Sequence, residues 1–395
     1  MFRVEVNAGA VRLSIDRALR GVIFMESNLS NFSASSAGKQ KRISLSAYKF
    51  MARKLFARKA EINLKNVAAK SWDIAPGETT VSPPAFFLPG QLERVSAWEA
   101  RFFPFEHPAR TMHGRLRMDH GATRGHLIKD VWLIDGALYK GNASLWLSLN
   151  PTKLPRIVVD TEIERGAAYC TQNGNTWFGT WLMEDCVTYA LACNEGVPVT
   201  TAPSARFPIF SQAPAYENWL GMKPVRLSSA FFRELVLFDD LSNNRSRHLR
   251  YRAMGEKLLS HVSYASHPGV FILRGGDGDL RLLRNEIAIA EHLHKTRGFR
   301  ILDPLRTDVP TIVATCAGAR VVMGVEGSQL VHGVNVLQPG GSLLVLQPPN
   351  RFVSYYKFLT DRDNQHFGFV VGTPEGDGFK IDIEEVERTL DLFPL

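Results

Sequence analysis

The chain has 395 residues, 45% hydrophobic and 22% charged, an ordinary globular composition with room for two packed domains. It carries no run of 18 apolar residues, which excludes a transmembrane helix at the level of sequence. The net charge is +8, but eight basic residues fall between Lys39 and Lys59 with no acid among them, and the remaining 39 basic residues balance 39 acidic ones. A nucleic-acid-binding face needs basic residues spread along a surface, so nucleic acid is not expected as a partner and a local anionic contact is.

In chain order, residues 1–75 read as an N-terminal extension, with a Ser-rich stretch ahead of the basic segment 39–59. Within that segment Tyr48, Met51, Ala52 and Leu55 follow i, i+3, i+4, i+7 spacing, and Lys49, Arg53, Lys54, Arg58 and Lys59 fill the other positions. Such a helix either lies on an anionic membrane surface or packs on the protein's own core. The Pro-rich passage Pro76 to Pro89 reads as a linker. Residues 76–240 then read as a first α/β domain, with β-rich runs VWLID, SLWLSL, RIVVD, VPVTT and ELVLFDD around the apolar helical stretch WFGTWLMEDCVTYALA. Residues 241–395 read as a second. There VFIL (270–273), FRIL (299–302), RVVMG (320–324) and SLLVL (342–346) alternate with helices over Asp279 to Arg297 and 311–319. That alternation predicts a parallel, doubly wound sheet. Cys170, Cys186, Cys193 and Cys316 show no C-x-x-C spacing, so no metal site or disulfide framework is expected. With no secretory signal read at the N-terminus, the expected location is cytoplasmic with reduced thiols.

Ligands of open α/β sheets sit beyond the carboxyl ends of strands, and two such ends are rich in polar chemistry. Arg274 follows VFIL, and Arg281, Arg284 and Asn285 are predicted to share one face of the next helix, opposite Leu283 and Ile287. Guanidinium groups there suit a diphosphate, which accepts bidentate hydrogen bonds; the alternative is a solvated basic face. At the second end, GVEGSQL (324–330) offers a glycine turn, the amides of a helix start at Ser328, and Glu326 as an acceptor for ribose hydroxyls. Asp277-Gly278-Asp279 has a D-x-D metal-binding look, but Asp279 is better placed to cap a helix. His292 and His294 point apart on a helix, and His120 and His126 fall in a polar loop. Glu184 and Asp185 on an apolar helix need partners or a cleft; in a cleft either suits a general base, and otherwise they are a cap network.

The segments FILRGGDGDLRLLRNE, GFRILDP and ARVVMGVEGSQLVHGVNVLQPGGSLLVLQPP, together with HLIKDVWLIDGALYKG, resemble glycosyltransferase family 61, whose bacterial members serve capsular polysaccharide biosynthesis. The resemblance runs over roughly 130 to 350. It implies a GT-B-like fold of two Rossmann-like doubly wound domains, an inverting mechanism, no metal or separate cofactor, a nucleotide-sugar donor, commonly UDP-linked, in the C-terminal half (241–395), and the acceptor on the side of residues 76–240. It further implies that Arg274, Arg281 and Asn285 hold the donor phosphates and that Glu326, Gly327 and Ser328 line the nucleotide. The family's helix near 180 opens on an aromatic-His-aromatic pattern, and here Thr180 stands at the His position. The expected acceptor is a glycan or a lipid-linked saccharide, with the enzyme peripheral at the inner face of the membrane. Two other readings follow from the residues: a metal-dependent transferase using Asp277 and Asp279, and a catalytically silent nucleotide-sugar-binding scaffold.

Overall fold

The structure, a computed structural model, describes residues 41–56, 62–99, 108–148, 155–203, 209–275 and 281–394. Asp277 and Asp279 therefore lie outside the described residues, as do Lys39, Arg58 and Lys59.

The second half forms the expected parallel sheet. Its strands are β14 (His267–Ile272), β15 (Arg300–Leu302), β16 (Ala319–Val325), β17 (Ser342–Gln347) and β18 (His366–Val371), in the order β15-β14-β16-β17-β18. Every residue of β17 is buried, as a strand covered on both faces requires. Odd and even positions divide between two cores. Phe271, Val321, Met323, Leu344 and Leu346 face a cluster with Ile289, Leu293 and Val386. Val270, Ile272, Val322, Leu343 and Val345 face a larger cluster that also holds Trp181, Leu182, Met183 and Val187 from the first half. One continuous core thus joins the two halves.

The first half departs from the doubly wound expectation. Its nine-stranded sheet is mixed. The strands β10 (Glu162–Ala168), β11 (Val197–Thr201), β12 (Val225–Leu227) and β13 (Ser229–Asp239) run parallel. Beside β13 the antiparallel strands β6 (Thr123–Ile134), β7 (Ala137–Lys140) and β8 (Ala143–Trp146) continue the sheet. The physical reason is the turn chemistry. Asp135 and Gly136 between β6 and β7 have φ of 47° and 83°, the paired positive φ of a type I′ hairpin, which forces antiparallel pairing. The stretch read as an extension also joins this sheet, since β3 (Lys70–Ala75) pairs with β6.

The basic helix α1 (Ser46–Phe56) docks on this half through Ala47 and Phe50, which pack with Ile134, Ala137 and Tyr139. Its buried face is one position away from the expected stripe. Tyr48 is half-buried and donates to the Pro155 carbonyl at 2.9 Å, while Ala52 is exposed. Among the described residues no helix is long and apolar enough to cross a membrane.

Three runs, Phe178–Thr180, Trp181–Asp185 and Cys186–Glu195, join into one helix, α2, whose middle run is a π turn. It is clamped to the end of β13 by the buried Asp240. That carboxylate accepts from Thr123 and Thr188 at 2.9 Å and from Arg250 of α3 (Arg245–Leu259) at 2.6 and 2.7 Å. Arg247 donates to the Asp240 carbonyl and to the Met183 carbonyl, and Arg250 to the Val187 carbonyl. Burial alone would push the Asp240 pKa up, but Arg250 and Arg247 outweigh it and hold it below the ordinary value. Asp240→Ala leaves Arg250 without its carboxylate partner and removes the counter-charge beside the buried Arg247, so it should cost about 3–5 kcal/mol, read as a lower urea midpoint. Because the folded pKa is depressed, this contribution is present above the unfolded carboxylate pKa. It is lost as pH falls through the folded one, so the gap between variant and wild type should close in acid.

Candidate functional site

In the second sheet β15 lies to one side of β14, and β16, β17 and β18 to the other, so the crevice of such a sheet opens between the carboxyl ends of β14 and β16. Arg274 follows β14, and Glu326, Gly327 and Ser328 follow β16. The loop after β14 is shaped by Glu286, whose buried carboxylate accepts from the amides of Arg274 (2.7 Å) and Gly275 (3.1 Å). Burial raises its pKa, and these two amides pull it back. Arg274 reaches across to Gln329 at 3.3 Å.

The helix expected over Asp279 to Arg297 starts at Glu286 and is α4 (Glu286–Arg297). Arg281, Arg284 and Asn285 precede it and do not share a helical face. Leu283 instead bridges Phe379, and this contact sends the three side chains apart. Arg281 turns inward, forms an ion pair with the Glu326 carboxylate and donates to the Glu326 carbonyl at 3.0 Å. Arg284 pairs with Asp377. Asn285 is taken up by the backbone of Ile381, donating at 2.7 Å and accepting at 3.3 Å. On α4 itself the buried positions are Ile289, Ala290 and Leu293, while Ile287 is exposed.

The same crevice is walled by α2. Gly179 approaches the glycine turn so closely that a Cβ there would lie 3.1 Å from the Ser328 hydroxyl. Together Thr180, Glu184, Arg281, Glu326, Gly327 and Ser328 line one open cleft of about 550 Å3, with Tyr355 and Tyr356 on its far wall. Tyr356 donates to the Gly327 carbonyl at 2.5 Å and Tyr355 to Glu184 at 3.0 Å.

The π turn separates the fates of the two neighbouring carboxylates. Glu184 faces the cleft, where burial raises its pKa while Arg247 and Tyr355 pull it down. Asp185 faces away. It is 1% exposed and accepts from the Thr171 amide (3.1 Å) and hydroxyl (3.0 Å), and burial raises its pKa. Its work is to pin the segment between β10 and α2. Glu326 is buried with its pKa raised by burial, against the pull of Arg281, Arg351 and Arg274.

The histidines have structural posts. His120 and His126, expected in a loop, sit on β5 (Arg117–His120) and β6 and bond to Thr80 and Asp239 respectively. His332 is buried against Tyr216, with its pKa pushed down to about 3 by burial, so it is a neutral core residue. Sequence reasoning passed over Glu286, Tyr355 and Tyr356. Glu286 was visible in the pattern Arg281-x-x-x-Asn285-Glu286, whereas the tyrosines reach the cleft from a separate helix, α5 (Tyr355–Thr360). No group of three or more His, Cys, Asp or Glu among the described residues is arranged to hold a metal ion.

A protein-family model described as Glycosyltransferase 61 matches residues 125–344, a span that takes in β6, α2, both arginines and the glycine turn. No curated protein matches the chain.

The burial of Glu184 has a stability cost. A carboxyl whose folded pKa is raised contributes stability below its unfolded pKa and loses it as pH rises through the folded one. Glu184→Gln keeps an acceptor for Tyr355 and removes that loss. The variant should therefore have a higher urea midpoint than wild type at neutral pH, with the difference vanishing in acid where both side chains are neutral.

Proposed function

The chain belongs to glycosyltransferase family 61, and from that premise we propose an inverting, metal-independent transfer of a sugar from a UDP-linked donor to a glycan or lipid-linked acceptor. The observation that carries the proposal is the shared cleft: a carboxylate with a raised pKa stands opposite a guanidinium group and a glycine turn at a sheet's switch point. In the proposed reaction Glu184 takes the proton of an acceptor hydroxyl. That oxygen forms the new bond to the anomeric carbon from the face opposite the leaving group, and the bond from that carbon to the diphosphate oxygen breaks. Arg274, Arg281 and the amides at Ser328 stabilise the charge that develops on the departing nucleoside diphosphate. Glu326 keeps Arg281 in place and accepts from the nucleotide. Supplying this positive charge from side chains removes the need for a divalent ion. The two sheets flanking the cleft correspond to the two halves of a GT-B arrangement, with the donor on the parallel one.

A role in surface polysaccharide assembly, at the cytoplasmic face of a membrane, fits the same reading. Ile43, Leu45, Ile157 and Val158 are exposed at 73%, 49%, 41% and 45%, next to the basic segment 39–59. Apolar side chains beside lysines and arginines suit an anionic lipid surface. Liposome co-sedimentation should show binding that grows with anionic lipid, falls with salt and is weakened by Ile43→Asp with Val158→Asp. Equal recovery in the supernatant with and without anionic liposomes rejects this part alone.

Arg281→Ala should weaken UDP binding by about tenfold or more, since a charge-assisted contact contributes roughly 1.5–3 kcal/mol, and calorimetry reads it directly. Glu184→Gln should abolish transfer and leave UDP affinity intact. Unchanged UDP affinity in a folded Arg281→Ala variant overturns the donor site, and normal turnover in Glu184→Gln overturns the base. Tight UDP-sugar binding without turnover in the wild-type chain, with acceptor present, favours a silent binding protein in which Thr180 marks the loss.

A further inference from the structure

The mixed sheet has an opening of its own, on the other side of the segment that walls the cleft above. In space β11 and β12 lie on one side of β10, and β13 lies on the other. The chain therefore reverses its winding between β10 and β13, the position where an open α/β sheet leaves a crevice beyond its carboxyl ends. A cleft of about 1130 Å3 opens there, between residues 169–173 after β10 and residues 237–242 at the end of β13, with Lys65 and the end of β8 closing its sides.

Its chemistry is unlike that of the first cleft. Among the described residues no arginine lines it. Lys65 is paired to Asp239, and the other carboxylate here, Asp240, is paired to Arg250. Among the described residues that line it, a phosphate would meet no cation without a partner carboxylate. Asp239 is instead a fixed acceptor. Lys65 holds one oxygen, His126 the other at 2.8 Å, and Ser71 holds His126 at 2.8 Å. The carboxylate is still 49% exposed, so its remaining lone pairs point to solvent in a set orientation. Gln172 and Asn173 add amide groups, while Leu145, Phe238 and Leu241 supply apolar surface. A hydrocarbon ligand would strip water from Asp239 and both amides and give nothing back. A sugar ring matches the mixture, because it carries hydroxyls at its edge and C–H groups on its faces. The Cys170 thiol in this cleft is pushed up to about 11 by burial, so it is no ready nucleophile.

We propose that this second cleft binds an uncharged oligosaccharide, as the part of the acceptor glycan remote from the reacting hydroxyl. The assignment to the acceptor rests on the transferase reading. The two clefts share one wall: Thr171, Gln172 and Asn173 line the second, and Trp177, Gly179 and Thr180 the first. Asp185 pins that wall through Thr171, so a chain held in one cleft is presented at a fixed offset from the other.

The test is calorimetric titration of the full chain with short neutral gluco-, galacto-, manno- and xylo-oligosaccharides, in the wild type and in Asn173→Ala with Leu241→Trp. Both side chains reach the surface, and a matching thermal melt checks that the variant is folded. At least one oligosaccharide series should bind the wild type, the double variant should weaken it by about tenfold or more, equivalent to 1.4 kcal/mol, and UDP affinity should not change. No binding by any of the four series overturns the proposal. So does binding that the double variant leaves intact, or displacement of the saccharide by octyl-chain detergent alone. Failure of the transferase reading has a separate signature, in UDP affinity or turnover of the Arg281 and Glu184 variants, and leaves the saccharide titration with its own answer.

Discussion

A single buried carboxylate organises this protein's working parts. Asp240 stands at the end of β13 and gathers Thr123, Thr188 and Arg250, while its carbonyl takes Arg247. Through those two arginines it grips the carbonyls of Met183 and Val187 on either side of Glu184. Helix α2 is otherwise held by apolar packing, which fixes distance well and rotation poorly. Charge-assisted hydrogen bonds are directional, and here they set which side of the helix looks into the cleft. The buried ions cost desolvation energy, and the return is a defined orientation for the Glu184 side chain.

The second constraint is the close approach of Gly179 to Ser328. It brings the start of α2 against Ser328 in the glycine turn of the other sheet, with no side chain on the α2 side to hold them apart. Glu184 from the mixed sheet's half and Arg281 from the parallel sheet's half can then line the same space. Glu326 stands between them as a counter-charge. It pairs directly with Arg281, and Arg274 and Arg351 also act on it through charge.

Much of this was legible in the chain. Four of the five strands of the parallel sheet, all but β18, are read from the chain as short apolar runs, and the structure places them within a few residues of where periodicity does. The two strand ends carrying Arg274 and Glu326-Gly327-Ser328 could be named because ligands of such sheets sit beyond strand carboxyl ends, and these two ends carry polar chemistry. The mixed sheet was misjudged for a local reason. The dipeptides Asp135-Gly136 and Gly141-Asn142 are hairpin signals, and they outweigh any alternation of strands with helices. The helix expected over Asp279 to Arg297 starts only at Glu286 and leaves Arg281 outside it, since Leu283 bridges to Phe379, a partner almost a hundred residues away. No periodicity within one segment reveals a contact of that range. The same holds for Tyr355, whose bond to Glu184 spans 171 residues.

The π turn in α2 makes the site a matter of parity. An α-helix advances by about 100° per residue, and a π turn is a local widening that breaks that count. Residues before Trp181 and after Asp185 are therefore out of phase with each other relative to a regular helix. A one-residue deletion inside 181–185 that spares Glu184 would restore the regular count and turn Glu184 relative to the rest of the helix, out of its present direction. Among related chains, a gap in that run thus alters which side chains line the cleft, a change of lining written as a change of length.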